Sequence, residues 1–138
     1  MYEYAVTITR VVDGDTVDVD IDLGFGVVLK KERVRIVGID TPESRTRDLV
    51  EKKFGLAAKA RLKELLGKTS VLVCKEYDSK GKFGRVLGDF TTNDSRMVTE
   101  VLIREGHAVA YFGGSKEEIQ AKHLVNREKL LREEKVAL

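Results

Sequence analysis

Asp15, Asp40, Thr41 and Glu43 supply oxygen, and Arg35 and Arg85 supply fixed positive charge, in a chain of 138 residues. Most of the oxygen arrives at once in "VRIVGIDTPES", residues 34–44, where the apolar run of Val34, Ile36, Val37 and Ile39 gives way to Asp40, Thr41 and Glu43. Pro42 ends regular pairing there and stiffens the step to Glu43. Carboxylate, carbonyl and water ligation suits Ca2+ or Mg2+ and not zinc. Asp15, Asp40 and the Thr41 carbonyl are therefore candidate ligands for one divalent cation, provided the fold brings Asp15 to Asp40. Arg35 and Arg85 are the complement. A phosphodiester under attack gathers negative charge, and a guanidinium fork meets it better than an ammonium does. Arg85 lies in "SKGKFGRV", where Gly81 and Gly84 let a backbone approach a ligand closely, although an ordinary hairpin arginine suits the same residues.

The elements around these residues must place them. Alternation along "DTVDVDID" puts Asp15, Val17, Val19 and Ile21 on one face and Asp18, Asp20 and Asp22 on the other. The second set reads as a solvated strand face. An EF-hand is excluded, because the sixth position of such a loop is Leu23 and the twelfth is Leu29. Asp15 shares the inward side, where a carboxylate without a partner is costly, or it bonds its own backbone in an Asp-Gly-Asp turn. Parity poses a second problem, since an ideal strand puts Arg35 and Asp40 on opposite faces. An irregularity at Gly38 is expected to restore them to one side.

Residues 4–12 and 15–22 show period-two patterning around the turn at Asp13-Gly14-Asp15, and "GFG" at 24–26 precedes a third strand over 27–39. Phe54, Ala58, Leu62 and Leu65 fall at helical spacing in 51–66, with Gly67 as the stop. Strands are expected at 69–77 and in "RVLGDFT". Ser95 is a candidate cap for a second helix with Met97, Val98, Val101 and Leu102 inward, ended by Gly106. Ser115 and Glu118 fit a capping box for a third, whose stripe of Ala121, Leu124, Val125 and Leu131 is expected to pack in the core. The fold class this order predicts is α+β, mainly β. It is a five-stranded barrel of the OB type with three α-helices, and residues 1–138 are read as one domain.

Composition sets the outer bounds. Hydrophobic residues are 42% and charged residues 35% of the chain, and no apolar run is long enough to span a membrane. A net charge of +2 is too small to mark a general nucleic-acid binder, so local clusters matter more than the sum. Cys74 is the only cysteine, which excludes an intrachain disulfide and CxxC-type zinc sites; in "SVLVCKEY" it reads as a buried, inert thiol. His107 and His123 are expected to be structural or exposed and are poor ligand candidates. The opening "MYEYAVTITR" has no basic leader followed by an apolar run, so a cytoplasmic location is expected, with a secreted one open if a leader was removed.

Taken in order, "VVDGDTV", "VRIVGIDTPE", "KFGLAAKARLKELL", "GKFGRVLGDF" and "VTEVLIREGHAVAY" resemble the staphylococcal nuclease (thermonuclease-like) family over about residues 5 to 131. The resemblance implies an OB-fold barrel that hydrolyses DNA and RNA with one Ca2+ ion. It implies cleavage of the P–O5′ bond, leaving 3′-phosphate and 5′-hydroxyl ends. Asp15 and Asp40 match the metal-binding aspartates, and Thr41 matches the residue that gives its carbonyl. Glu43 matches the glutamate that orients or deprotonates water, and Arg35 and Arg85 match the catalytic arginines. The implied partners are DNA and RNA, with single-stranded or frayed regions preferred, no membrane and no obligate protein partner.

Three departures bear on substrate grip. Phe83 stands where the family often has tyrosine, and the hairpin "DIDLGFGVVLKKERV" is longer than the family's short version. After Tyr111 the chain runs "FGGSKEE", short and glycine-rich, so Tyr111 is left to stack on a base with Lys82 near the phosphate. A catalytically silent OB module that tracks single strands is the alternative from the binding class, and it would need gaps in the catalytic set that the sequence does not contain. A phosphohydrolase of small esters has no motif of its own here.

Overall fold

Alternating apolar residues roll five strands within residues 2–91 into a barrel. The computed structural model describes residues 2–78, 85–92 and 94–138. Strands β1 (Tyr2–Asp13), β2 (Thr16–Gly24) and β3 (Val27–Ile36) form an antiparallel meander, which β5 (Thr69–Asp78) and β6 (Arg85–Thr91) complete. Closure gives the order β1-β2-β3-β6-β5, with β3 and β6 parallel and β5 returning to β1. Val17, Val19, Val34, Ile36, Leu72 and Phe90 fill the interior and are inaccessible to solvent. As alternation requires, Asp18 and Asp20 point outward. Asp18 holds Arg33 in a fork at 2.9 and 3.2 Å, and Asp20 accepts from the Lys31 amide at 2.9 Å. Cys74 is half-buried at the edge of the core rather than fully enclosed.

The third strand is shorter than its sequence pattern suggests. β3 stops at Ile36, and Gly38 turns the chain in the left-handed region at φ 83°. Ile39 and Asp40 then form β4 (Ile39–Asp40), which leaves the barrel to pair with β7 (Val109–Ala110). The irregularity expected at Gly38 is thus a change of sheet.

Helix α1 (Leu49–Leu66) is capped by Asp48, whose carboxylate accepts from the Val50 and Glu51 amides at 3.0 and 3.1 Å. It buries Phe54, Gly55, Ala58, Leu62 and Leu66, and Gly67 ends it. Helix α2 (Val98–Glu105) buries Val98, Val101 and Leu102. Its N-cap is Met97 with no side-chain cap bond, not Ser95, which sits before it in a turn at φ 64°. The Thr92 hydroxyl accepts from the Arg96 amide and so organises that turn in place of a serine cap. No helix among the described residues is long and apolar enough to cross a membrane.

Helix α3 (Lys116–Arg132) starts on Ser115, whose hydroxyl accepts from the Glu118 amide at 3.2 Å, but its phase differs from the apolar stripe. Leu124 and Val125 are 48% and 66% exposed, and Ala121 and Leu131 are exposed too, whereas His123 and Leu130 are buried. The face that docks runs Ile119, His123, Asn126, Leu130, at steps of four, three and four residues. Polar bonds seat it: Asn126 Nδ2 donates to the Ala108 carbonyl at 3.3 Å, and Lys129 Nζ donates to the Arg104 carbonyl at 2.6 Å. Leu130 joins Phe54 and Val136 in a small second core. Leu130→Ala is expected to cost about 2–4 kcal/mol in denaturant unfolding, and Val125→Ala no more than about 0.5 kcal/mol. Equal losses at the two positions would contradict this phase.

Candidate active site

Asp15 reaches the site through strand pairing. β2 begins beside the end of β3, with Thr16 opposite Arg35, and the Ile36 amide donates to the Asp15 carbonyl at 2.8 Å. Barrel closure is therefore not what joins Asp15 to the end of β3; the β2–β3 register does it. The turn also lies hard against its neighbours, since a Cβ on Gly14 would come within 3.0 Å of Ala58 and 3.1 Å of Thr41.

The Arg35 guanidinium closes the gap between the two strand ends. Its Nη1 lies 3.3 Å from Asp15 Oδ2 and donates to the Ile36 carbonyl, while Nη2 donates to the Ile39 carbonyl at 3.3 Å. A flexible side chain is thereby held rigid beside the peptide that leads into Asp40. Burial raises the pKa of Asp15. Arg35 opposes that rise most, followed by the hydroxyls of Thr16 and Thr41, while Asp13 adds to it. Charge and hydroxyls thus offset the cost of half-burying this carboxyl.

Asp40 is fixed from the opposite direction. Its backbone pairs with Val109, and its Oδ2 lies 2.7 Å from Nε2 of His123, a buried side chain of α3. Thr41 follows, buried, and Glu43 comes next on the stiff segment at Pro42. Two contacts fix the backbone at Glu43. Ser44 donates through its amide, at 3.2 Å, and through its hydroxyl to Asp13 Oδ1. Gly55 of α1 passes so close that a Cβ there would sit 2.2 Å from the Glu43 carbonyl oxygen. Only a residue without a side chain fits under this turn.

Glu43 is exposed as a residue, yet partial desolvation raises its pKa, and the negative charges of Asp13, Glu51, Asp15 and Asp40 raise it further. This crowding of acids tests the fit of a cation. Repulsion among carboxylates of this kind is relieved by a bound divalent ion, and carboxylate and carbonyl oxygen are the donors that a hard ion takes. Among the described residues, no three histidine, cysteine or carboxylate side chains are grouped so as to hold a metal ion by themselves. Asp15, Asp40 and the Thr41 carbonyl, completed by water, suit a hard ion and not a structural zinc.

A cleft of about 360 Å³ opens beside these groups, walled by Asp40, Thr41, Glu43, Tyr111, Gln120 and His123 among others. Tyr111 is placed there because its amide donates to the Gly38 carbonyl at 2.9 Å, beyond the end of the β4–β7 pair. Asp15 and Arg35 are not in its wall. Arg85 is the first residue of β6, exposed, two residues before Leu87, which pairs with Arg35. Strand parity puts Arg85 on the same outer face as Arg35, about 7 Å along from that pair. Lys82 and Phe83 lie outside the described residues. Sequence reasoning missed His123. The signal was present in the spacing of Ile119, His123, Asn126 and Leu130, but two polar residues hide that face beside the more apolar stripe.

A closed five-stranded barrel with a helix between β4 and β5 and two helices after β6 is an OB-type fold, here carrying an acidic site at the rim where β2 starts and β3 ends. The family model described as staphylococcal nuclease homologue matches residues 33–138, and the chain belongs to that family. Asp15 lies before the matched span, so its place in the site rests on the barrel register. The chain is 37% identical over 108 residues to Endonuclease YncB of Bacillus subtilis (strain 168), covering 77% of this chain and 48% of that protein. It is 34% identical over 105 residues to a Thermonuclease of Staphylococcus intermedius, covering 76% and 58% respectively. Endonuclease YhcR of Bacillus subtilis (strain 168) is 31% identical over 116 residues, which make up 80% of this chain and 9% of that protein. The chain therefore spans no more than about three-fifths of the length of these relatives.

Proposed function

We propose that this chain is a Ca2+-dependent nuclease that hydrolyses phosphodiester bonds of DNA and RNA at the P–O5′ bond. The observation that carries the reading is the meeting of Asp15, Asp40 and Glu43 around one rim, with Arg35 pinned between Asp15 and the backbone that leads to Asp40. Family membership and relatives named endonuclease and thermonuclease support it.

In this reading Asp15, Asp40 and the Thr41 carbonyl hold the ion, which when bound neutralises and places the scissile phosphate. Glu43 orients or deprotonates the attacking water, and partial desolvation raises its pKa in the direction that strengthens a base. Arg35, already rigid, donates toward the charge that develops on the phosphate, and Arg85 approaches from the neighbouring strand. The water oxygen ends on the 3′-phosphate, and the 5′ oxygen leaves as a hydroxyl. Tyr111 stacks on a base in the cleft, Lys82 serves the phosphate and Phe83 is a further substrate-binding residue, and single-stranded or frayed regions are preferred because such stacking needs an unpaired base.

Single- and double-stranded DNA and RNA incubated with Ca2+, Mg2+ or a chelator should separate the cases on a gel. Cleavage is expected with Ca2+ and should fall to background with chelator, and the products should carry 3′-phosphates. An equal rate in chelator would remove the metal from the mechanism. Tight, salt-sensitive binding without cleavage would favour the silent OB module instead.

A further inference from the structure

We propose that His123 is a positioning residue for the cation site, orienting Asp40 through an Nε2–H···Oδ2 hydrogen bond so that Oδ1 is presented to the ion. The inference rests on the reading that Asp40 is a metal ligand, and it adds a residue that lies 83 positions further along the chain.

Asp40 needs such a partner. It stands on a strand of two residues that pairs with β7, outside the barrel, and its side chain is 40% exposed. Left alone, its carboxylate would sample several rotamers, and ordering it would oppose metal binding. Asp15 does not face this problem, because Arg35 and the Thr16 hydroxyl, at 3.3 and 3.0 Å, already hold it. For Asp40 the hydrogen bond found among the described residues is the one to His123, at 2.7 Å. A carboxylate only accepts, so the ring nitrogen donates. That bond occupies Oδ2 and leaves Oδ1 available to a ligand.

The imidazole is itself fixed. Its side chain is 8% exposed, and it borders a small cavity with Pro42, Phe54, Asn126 and Leu130, the residues that seat α3. A ring also suits the task better than a longer cation. It donates one hydrogen bond without the obligatory full charge of an arginine, which would compete with the ion for the carboxylate. Lys116, Ile119 and Gln120, on the same side of α3, wall the cleft beside Asp40. Docking of α3 and affinity of the cation site are thereby linked through one side chain.

Three variants test this. His123→Leu removes the donor, His123→Asn keeps polarity but falls short of Oδ2, and His123→Gln keeps an N–H at similar reach. Calorimetric titration of each full chain with Ca2+ reads the affinity directly, and circular dichroism checks the fold. His123→Leu and His123→Asn are expected to weaken Ca2+ by about 10-fold, and His123→Gln should stay within about twofold of the unsubstituted chain. The Ca2+ concentration for half-maximal cleavage should move in the same ratio. Unchanged affinity in a folded His123→Leu or His123→Asn chain would overturn the positioning role alone. So would a loss in His123→Gln equal to that in His123→Leu. Absence of Ca2+ binding to the unsubstituted chain would overturn the metal-site reading and this inference together.

Discussion

Arg35→Ala is expected to lower the rate of nucleic-acid cleavage by about 10²- to 10³-fold, the scale on which a preorganised donor to developing charge acts. The guanidinium is in place before substrate arrives, held by the carboxylate of Asp15 and by the carbonyls of Ile36 and Ile39. Without it, water would meet Asp15 and these carbonyls and would have to reorganise during the reaction. Arg35→Lys should recover little, because an ammonium cannot keep two backbone carbonyls and a carboxylate in one plane. A second readout comes from Asp15. Arg35 is the largest influence opposing the burial that raises this carboxyl, so its loss raises the Asp15 pKa further. In the proposed function an ionised Asp15 holds the cation, and on that reading the acid limb of the pH–rate profile should move to higher pH. Cleavage assays across pH, with circular dichroism to check folding, decide the matter. A folded Arg35→Ala chain with an unaltered rate would remove the mechanism.

Gly55→Ala should be strongly damaging, because among the described glycines an added Cβ makes its closest approach here. In a helix interior, glycine to alanine ordinarily gains about 1 kcal/mol. Here the new Cβ would lie 2.2 Å from the Glu43 carbonyl oxygen and 2.6 Å from the Ser44 nitrogen, both backbone atoms that cannot rotate away. Either α1 lifts from the barrel or the segment carrying Glu43 moves. Overpacking against backbone is expected to reverse the helix gain and destabilise by about 3 kcal/mol, lowering the melting temperature by about 10 °C. Where the chain still folds, Glu43 is displaced, and a shift of about 1 Å at such a group can cost about 100-fold in rate. Leu56→Ala, at an exposed neighbour on the same helix, is the control and should change stability by less than about 0.5 kcal/mol. A Gly55→Ala chain as stable and active as its parent would show that the turn can yield.

Strand β2, the break at Gly38 and the helix caps illustrate what a sequence carries. The inward side of β2 was legible because alternation is a property of neighbouring residues; Val17, Val19 and Ile21 are buried as their spacing requires. The interruption at Gly38 was legible as a demand, since Arg35 and Asp40 are out of phase on an ideal strand. Its form was not, because the partner that draws β4 away from the barrel is β7, about 70 residues distant. Ser115 caps its helix as its spacing to Glu118 requires, and Ser95 does not cap α2. The first depends on the next turn of its own helix, whereas the second lost to a turn built by Thr92 and Asp94.

Helix α3 makes the division clear. Its existence and its start follow from local periodicity and a serine cap, but its rotation was misjudged. Apolar content favoured the face with Leu124 and Val125, while the molecule buries the one with His123 and Leu130. The sequence by itself determined the five barrel strands, the three helices, the OB-type order and the motif residues. Only the tertiary structure decided that the β2–β3 register brings Asp15 to Arg35, that Gly55 seats Glu43, and that a histidine on α3 holds Asp40. The first kind of information repeats every two to four residues along the chain. The second depends on which surfaces find each other across the core, and no local period contains that choice.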